Sequence, residues 1–354
     1  MKYTVASLFA GIGGICKAFE NSGANVIWAN EIDEYACQTY RLNMQETELI
    51  EGDICDIDEA TLPDFDILTA GFPCQSFSIA GYQKGFNDDR GNLFFETLRF
   101  INAKKPRAFL LENVKNLVSH DHGKTFRIIM ESLKNSGCLI KYRIMNSMQY
   151  GNIPQNRERI YIIGFRTKKD FDKFVLPSPI PLRCNVGDII NINDRKDDKY
   201  YYTQSSKFYE LLTESVAKEY VIYQLRRTYV RENKSGVCPT LTANMGTGGN
   251  NVPIIKDNFG IRKLTPEECF KFQGFSGIDI PKGVSNSQLY KQAGNSITVP
   301  VVERIAMNIV DALDGKNLNN YIHDLYPAQK DGTQLSFDCI METVLEKNQY
   351  TCSA

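Results

Sequence analysis

The chain has 354 residues, with 41 Lys and Arg against 42 Asp and Glu, a formal net charge of -1, 42% hydrophobic residues and 23% charged ones. That balance suits a globular protein with a buried core and excludes one that is basic overall and attracts nucleic acid by bulk charge. No apolar run reaches the roughly 18 residues that cross a bilayer, and "MKYTVASLFAG" lacks the basic and apolar regions of a signal peptide, so a soluble cytoplasmic protein is expected.

From the N-terminus, "TVASLF", "NVIWAN", "ELIEGDI", "FDILTAGF", "AFLLENV", "YRIMNSM" and "IYIIGF" read as strands. Between several of them "ICKAFENSG", "YACQTYRLN", "LFFETLRFINA" and "TFRIIMESLKNSG" carry helical periodicity. This alternation predicts an α/β fold with a doubly wound, mostly parallel sheet. Only "QYGNIPQNRER" separates the last two strands, too little for a crossover, so they should pair antiparallel at one edge.

The first strand runs into "SLFAGIGG", where Gly11, Gly13 and Gly14 open a helix and permit a tight turn with close approach of a ligand. Glu31 ends the second strand about 20 residues later, where Rossmann-like proteins place an acid on ribose hydroxyls. Asp53 in "EGDI" offers a second carboxylate, suited to an adenine amino group. Together they point to an adenosine-containing cofactor, although the glycine run alone would fit an ordinary strand–helix turn.

"AGFPCQSFSIAG" sets Cys74 directly after Pro73 at the carboxyl end of a strand, the edge where open α/β sheets bind ligands. A thiol held there is a candidate nucleophile. The other nine cysteines are scattered, none in a C-x-x-C pair, and His120, His122 and His323 form no ligand set with them. They should be reduced packing residues, with no metal site. Glu112 in "LLENV" ends the next strand and should face the same crevice as a proton donor. "QNRER" adds Gln155, Arg157 and Arg159, the two arginines sharing a face if the strand begins there.

Beyond the proline-rich "VLPSPIPL" the chain turns polar, tyrosine-rich and weakly periodic, which predicts a smaller, loop-rich domain. Within it "YQLRRTYVRENK" gathers Arg226, Arg227, Arg231 and Lys234 among tyrosines, suited either to phosphate contact and stacking or to a solvated basic face. "KLTPEECFKFQGF" then opens a helix at Thr265-Pro266-Glu267-Glu268, and "VPVVERIAMNIVDAL" forms another. The tail has one amphipathic candidate, "FDCIMETVLEKN".

The ordered set "FAGIGG", "GFPCQSFS", "ENV", "QNRER", "RKLTPEECFKFQGF" and "QAGNSITVPV" resembles the DNA (cytosine-5)-methyltransferase family of bacterial restriction–modification type, over about residues 4 to 310. The resemblance implies S-adenosylmethionine as cofactor, leaving as S-adenosylhomocysteine, with no metal. It carries cofactor contacts onto Phe9, Gly11, Gly13, Glu31, Ile32, Asp53, Ile54, Pro73, Leu93, Asn295 and Ser296. Cys74 becomes the nucleophile that adds to a flipped cytosine, Glu112 the pyrimidine-contacting acid and Arg159 the base-contacting arginine, with Gln155 and Arg157 in support. By the same resemblance DNA recognition falls on Thr240, Leu241 and Thr242, to which the basic cluster adds Arg226 and Arg227 as candidates for phosphate contact.

The implied organisation is a catalytic domain at 1–178, a target-recognition domain at 179–275, a segment returning to the catalytic domain at 276–315, and a tail at 316–354. The expected partner is double-stranded DNA, met by a monomer without a membrane, with a cognate restriction endonuclease possible. A tRNA cytosine-5 methyltransferase and a non-catalytic DNA-binding protein on the same scaffold are the alternatives. An NAD-dependent dehydrogenase shares only the fold-level pattern.

Overall fold

A computed structural model describes residues 3–73, 93–247 and 251–316. Cys74 and the polar stretch after it, Gly248 and Gly249, and the tail with its amphipathic candidate lie outside the described residues. The chain begins β1 (Thr4–Leu8), α1 (Gly14–Asn21), β2 (Asn25–Glu31), α2 (Glu34–Asn43), β3 (Glu48–Glu51), β4 (Ile67–Ala70) and α3 (Leu93–Lys104). It continues with β5 (Ala108–Val114), α4 (Lys124–Asn135), β6 (Leu139–Asn146), the short α5 (Ser147–Tyr150), β7 (Gln155–Asn156) and β8 (Glu158–Phe165).

Seven of these strands form one sheet in the order β3-β2-β1-β4-β5-β8-β6. Neighbours from β3 to β5 pair parallel, while β8 runs antiparallel to both β5 and β6. The expected antiparallel edge pair is present, and β8 is the strand inserted between the edge and the parallel set. Successive side chains leave opposite faces of a strand. In β5, accordingly, Ala108 and Leu110 enter one core with Ile15 and Phe19 of α1, and Phe109 and Leu111 enter another with Phe94 of α3 and Phe126 of α4. Such strands are buried on both sides, which is why they read as unbroken apolar runs.

The second half carries α6 (Lys168–Lys173), α7 (Val186–Ile189), α8 (Tyr209–Ser215), β9 (Tyr223–Leu225), β10 (Val230–Glu232), β11 (Cys238–Pro239), β12 (Ile254–Asp257) and β13 (Gly260–Lys263). Strands β10-β9-β12-β13 make a small antiparallel sheet. Cys238 and Pro239 of β11 instead pair with Gln155 and Asn156 of β7, tying this half to the start of β8.

Helices α9 (Pro266–Phe272), α10 (Asn286–Asn295) and α11 (Val299–Leu313) follow. As expected from "TPEE", Thr265 caps α9: its hydroxyl accepts from the Glu268 amide, while the Glu268 carboxylate accepts from the Thr265 amide. The apolar face of α11, with Val302, Ile305 and Ile309, joins the core beneath α1. Among the described residues no helix is long and apolar enough to cross a membrane, and no metal-binding cluster is present.

Candidate active site

The carboxyl ends of β1, β2, β4 and β5 surround a cavity of about 570 Å³. After β1 the backbone enters left-handed conformations at Phe9 (φ 54°), Gly11 (φ 58°) and Gly13 (φ 87°) before α1 starts. The turn brings the Gly11 amide 2.7 Å from one carboxylate oxygen of Glu31, while the other accepts from the Ile32 and Asp33 amides at 2.9 Å each. The acid at the end of β2 therefore fixes the glycine turn and the start of its own loop before any ligand arrives. Asn30 donates to the carbonyls of Ile50 and Gly52 and so holds the turn that carries Asp53.

All the expected cofactor residues except Gly13 line this cavity: Phe9, Gly11, Glu31, Ile32, Asp53, Ile54, Pro73, Leu93, Asn295 and Ser296. Gly13 faces the other way. A Cβ there would lie 2.8 Å from the Met44 side chain and 3.2 Å from the Tyr40 ring, so its glycine serves the turn and the packing behind it. Ile32, 62% exposed, presents an uncovered apolar side chain at the rim.

On the other side of the cavity Glu112, near the end of β5, meets Arg159 of β8, with Nε 3.1 Å from Oε1 and both side chains nearly buried. Burial raises the Glu112 carboxyl above its ordinary value, opposed by the charges of Arg159 and Arg157. Asn113 beside it donates to the Phe72 carbonyl at 2.8 Å and so steadies the turn leading to Pro73. Sequence reasoning passed over Asn113, whose only sign is its place in "ENV".

Arg157 also lines the cavity, but its fork is committed to backbone: it donates to the carbonyls of Leu241 (2.7 Å), Gly294 (3.1 Å) and Ser296. Burial, then the charge of Arg159, lowers its pKa to about 9. Gln155 is fully buried outside the cavity lining, where it donates to the Phe272 carbonyl and accepts from the Leu241 amide. Both residues thus hold the second half of the chain against the first.

The Thr240–Thr242 element divides accordingly. Leu241 is fully buried, its side chain in the core rather than at a surface, because its amide and carbonyl are taken by Gln155 and Arg157. Thr240 bonds the Asn156 carbonyl, and Thr242 bonds the side chain of Asn244. Arg226 and Arg227 lie exposed at the turn between β9 and β10, closed by the Arg226 amide on the Tyr229 carbonyl at 2.8 Å.

The family description C-5 cytosine-specific DNA methylase matches residues 3–311. The chain belongs to that family. It is a DNA cytosine-5 methyltransferase. The enzyme is 55% identical over 312 residues to the type II methyltransferase M.Bsp6I of Bacillus sp. (strain RFL6), covering 87% of this chain and 99% of the relative. It is 40% identical over 323 residues to the type II methyltransferase M.SsoII of Shigella sonnei, covering 88% and 81%. In fold the enzyme is similar to the DNMT2 structure of Spodoptera frugiperda, at 18% identity and a TM-score of 0.68 over 87% of this chain and 100% of that one. The methyltransferase therefore has its acid–arginine pair and its carboxylate-fixed glycine turn in one cavity, which Pro73 also lines.

Proposed function

We propose that the enzyme methylates carbon 5 of a cytosine within a short, specific duplex sequence, through a covalent adduct of Cys74 with the flipped base, as the modification partner of a type II restriction endonuclease. The observation that carries this reading is the Glu112–Arg159 pair inside the cavity that Pro73, the residue before Cys74, also lines. Ring carbon 5 of cytosine is a weak nucleophile. Addition of the Cys74 thiolate at carbon 6, with a proton from Glu112 to N3, makes carbon 5 electron-rich. A carboxyl whose pKa burial raises keeps that proton available nearer neutrality. Arg159 holds the carboxylate in place and contacts the base. Once carbon 5 carries the methyl group, loss of its proton, return of the N3 proton to Glu112 and departure of the Cys74 thiolate restore the ring, and a stacked base must first be flipped at a cost of a few kcal/mol.

The cavity suits a nucleoside with an amino-acid tail, since its volume falls within the usual ligand range of about 300–1,000 Å³ and its rim offers Glu31 and Asp53 beside the apolar Ile32 and Phe9. Glu31 and Asp53 would take the ribose hydroxyls and the adenine amino group, and Asn295 and Ser296 the opposite end. When bound, S-adenosylmethionine supplies an electrophilic methyl on sulfonium sulfur. The enzyme is proposed to act as a monomer. Its place is the bacterial cytoplasm, and the names of the relatives support the restriction–modification role.

The test is a target duplex with fluorine at carbon 5 of the cytosine. Without a proton to lose, the adduct should survive denaturation and map by peptide mass to Cys74, and Cys74→Ser should abolish adduct and turnover while still binding DNA. Absence of any adduct on a verified target, or an adduct on another cysteine, would end this mechanism.

A further inference from the structure

Arg99 of α3 lies outside the cavity, yet both terminal nitrogens of its guanidinium reach the segment that forms one of the cavity's walls. One terminal nitrogen donates to the Ile54 carbonyl at 3.0 Å and the other to the Ile57 carbonyl at 3.0 Å, while Nε holds Glu96 at 2.8 Å. Glu59 pairs with the same fork, and the guanidinium sits 4.8 Å from the centre of the Phe100 ring, which packs on Trp28 beneath β2. Asp53 and Ile54 line the cavity from the turn after β3, and Leu93 lines it from the first position of α3. Arg99 ties these two walls together near the cavity, and Lys104 ties the far end of α3 to Leu62 and Asp64.

We propose that Arg99 is a positioning residue for the cofactor, setting the separation between the Asp53–Ile54 turn and Leu93 on α3. Asn30 holds the near side of this turn through the Ile50 and Gly52 carbonyls, and Arg99 takes the carbonyls of Ile54 and Ile57 on its far side. The segment contains a single short 3-10 turn, Ile54–Asp56, capped by the Asp53 carboxylate on the Cys55 amide. That carboxylate is also the group the cofactor would use. An arginine fork can donate to two carbonyls and a carboxylate in fixed geometry, whereas a lysine ammonium is a point charge on a flexible stem. The raised pKa of Arg99, sustained by Glu96 and Glu59 against burial, agrees with a cation kept in place by its own carboxylates.

This inference rests on the reading of the cavity as the S-adenosylmethionine site, and the experiment separates the two. S-adenosylhomocysteine binding is measured by calorimetry, and kcat and KM for S-adenosylmethionine are measured at saturating DNA, for the full chain and for Arg99→Gln, Arg99→Lys and Glu59→Gln. Arg99→Gln should weaken cofactor binding and raise its KM about tenfold or more, as for loss of charged hydrogen bonds, with kcat at saturating cofactor within about threefold. Arg99→Lys keeps the charge beside Glu96 and Glu59 but not both carbonyl bonds, so it should fold as the parent does and still show a raised KM. Glu59→Gln leaves the carbonyl bonds intact and should leave cofactor affinity within about twofold. A parent enzyme that fails to bind S-adenosylhomocysteine sinks the cavity reading. A parent that binds it, with both Arg99 variants unchanged in affinity or with Glu59→Gln as weak as Arg99→Gln, sinks the positioning role.

Discussion

The two sheets of this enzyme are held by different forces. The large sheet is a stack of buried apolar strands: Val5, Ala6, Leu8, Leu68, Leu110 and Leu111 are fully buried, and helices cover both faces. The small sheet has strands of three or four residues, and only Leu212, Val216, Tyr223, Leu225 and Ile254 form its own buried cluster. At its join to α9 it has instead a buried ionic triad. Arg262, with no exposure, reaches Asp257 at 2.6 Å through Nε and grips both oxygens of Glu268 at 2.8 Å. The Asp257 oxygens further accept from Tyr201 and from the Phe259 and Gly260 amides, so its charge is well satisfied. Apolar burial scales with area and is non-directional. An ionic triad stabilises less for its desolvation cost but permits one arrangement of the strands. The large sheet thus coheres through its apolar strands and keeps its polar groups at the carboxyl edge, around the cavity, whereas the small sheet uses its polar groups to keep its shape.

The largest expected effect tests this division at Arg262. Arg262→Met leaves two buried carboxylates without their cation, which costs about 3–5 kcal/mol. Urea denaturation should show that loss. Calorimetry at low temperature should still find S-adenosylhomocysteine bound within about twofold of the parent, while target-specific DNA binding falls. Cofactor affinity dropping together with DNA binding would mean that the two sheets are one energetic unit.

The next effect concerns the packing of α10, which carries cavity residues, against the Thr242–Gly246 stretch, where glycines let backbone meet backbone. A Cβ on Gly294 of α10 would lie 2.1 Å from the carbonyl carbon of Thr242, and one on Gly246 would lie 2.1 Å from the carbonyl oxygen of Ser287. Backbone cannot swing aside as a side chain does, so Gly294→Ala should cost about 1–3 kcal/mol through overpacking. It should also disturb Arg157, which bonds both the Gly294 and the Leu241 carbonyls. Unlike Arg262→Met, this variant should weaken cofactor and DNA binding together, because Asn295 and Ser296 follow directly at the cavity. A Gly294→Ala enzyme that loses only one of the two would place the boundary between the halves elsewhere.

The same contrast governs what could be read from residues alone. β1, β2, β4 and β5 were legible because burial on both faces makes unbroken apolar runs, and Glu31, Asp53 and Glu112 were legible because strand ends mark the binding edge. The small sheet showed only as a weakly periodic, tyrosine-rich stretch, since strands such as Tyr223–Leu225 are too short to display a period of two. Its ionic triad joins Asp257, Arg262 and Glu268 across a hairpin, a pairing that only the folded chain displays. Arg157 was legible as a cation near the site, but its partners, Leu241, Gly294 and Ser296, lie 84, 137 and 139 residues away. Thr240, Leu241 and Thr242 share one recognition role by resemblance, yet neighbouring residues diverge when one of them, Leu241, supplies both backbone groups to buried Gln155 and Arg157.

The smallest effect on stability belongs to Arg226, and it sharpens the comparison from the other side. Arg226 is exposed at the β9–β10 turn, and its side chain donates to Gln224 at 2.9 Å. Exposed substitutions away from special features usually change stability by within about 0.5 kcal/mol. Arg226→Ala should therefore melt with the parent. If the turn lies against the DNA backbone, the same change removes a phosphate contact: affinity should fall by a similar factor for target and non-target duplexes, and the salt slope should shrink by about one ion. Filter-binding titrations over a range of salt on both duplexes measure the two quantities together. Loss confined to the target duplex would make Arg226 a base contact. An unchanged slope on both would leave this turn a solvated basic face, with the DNA engaged elsewhere on the chain.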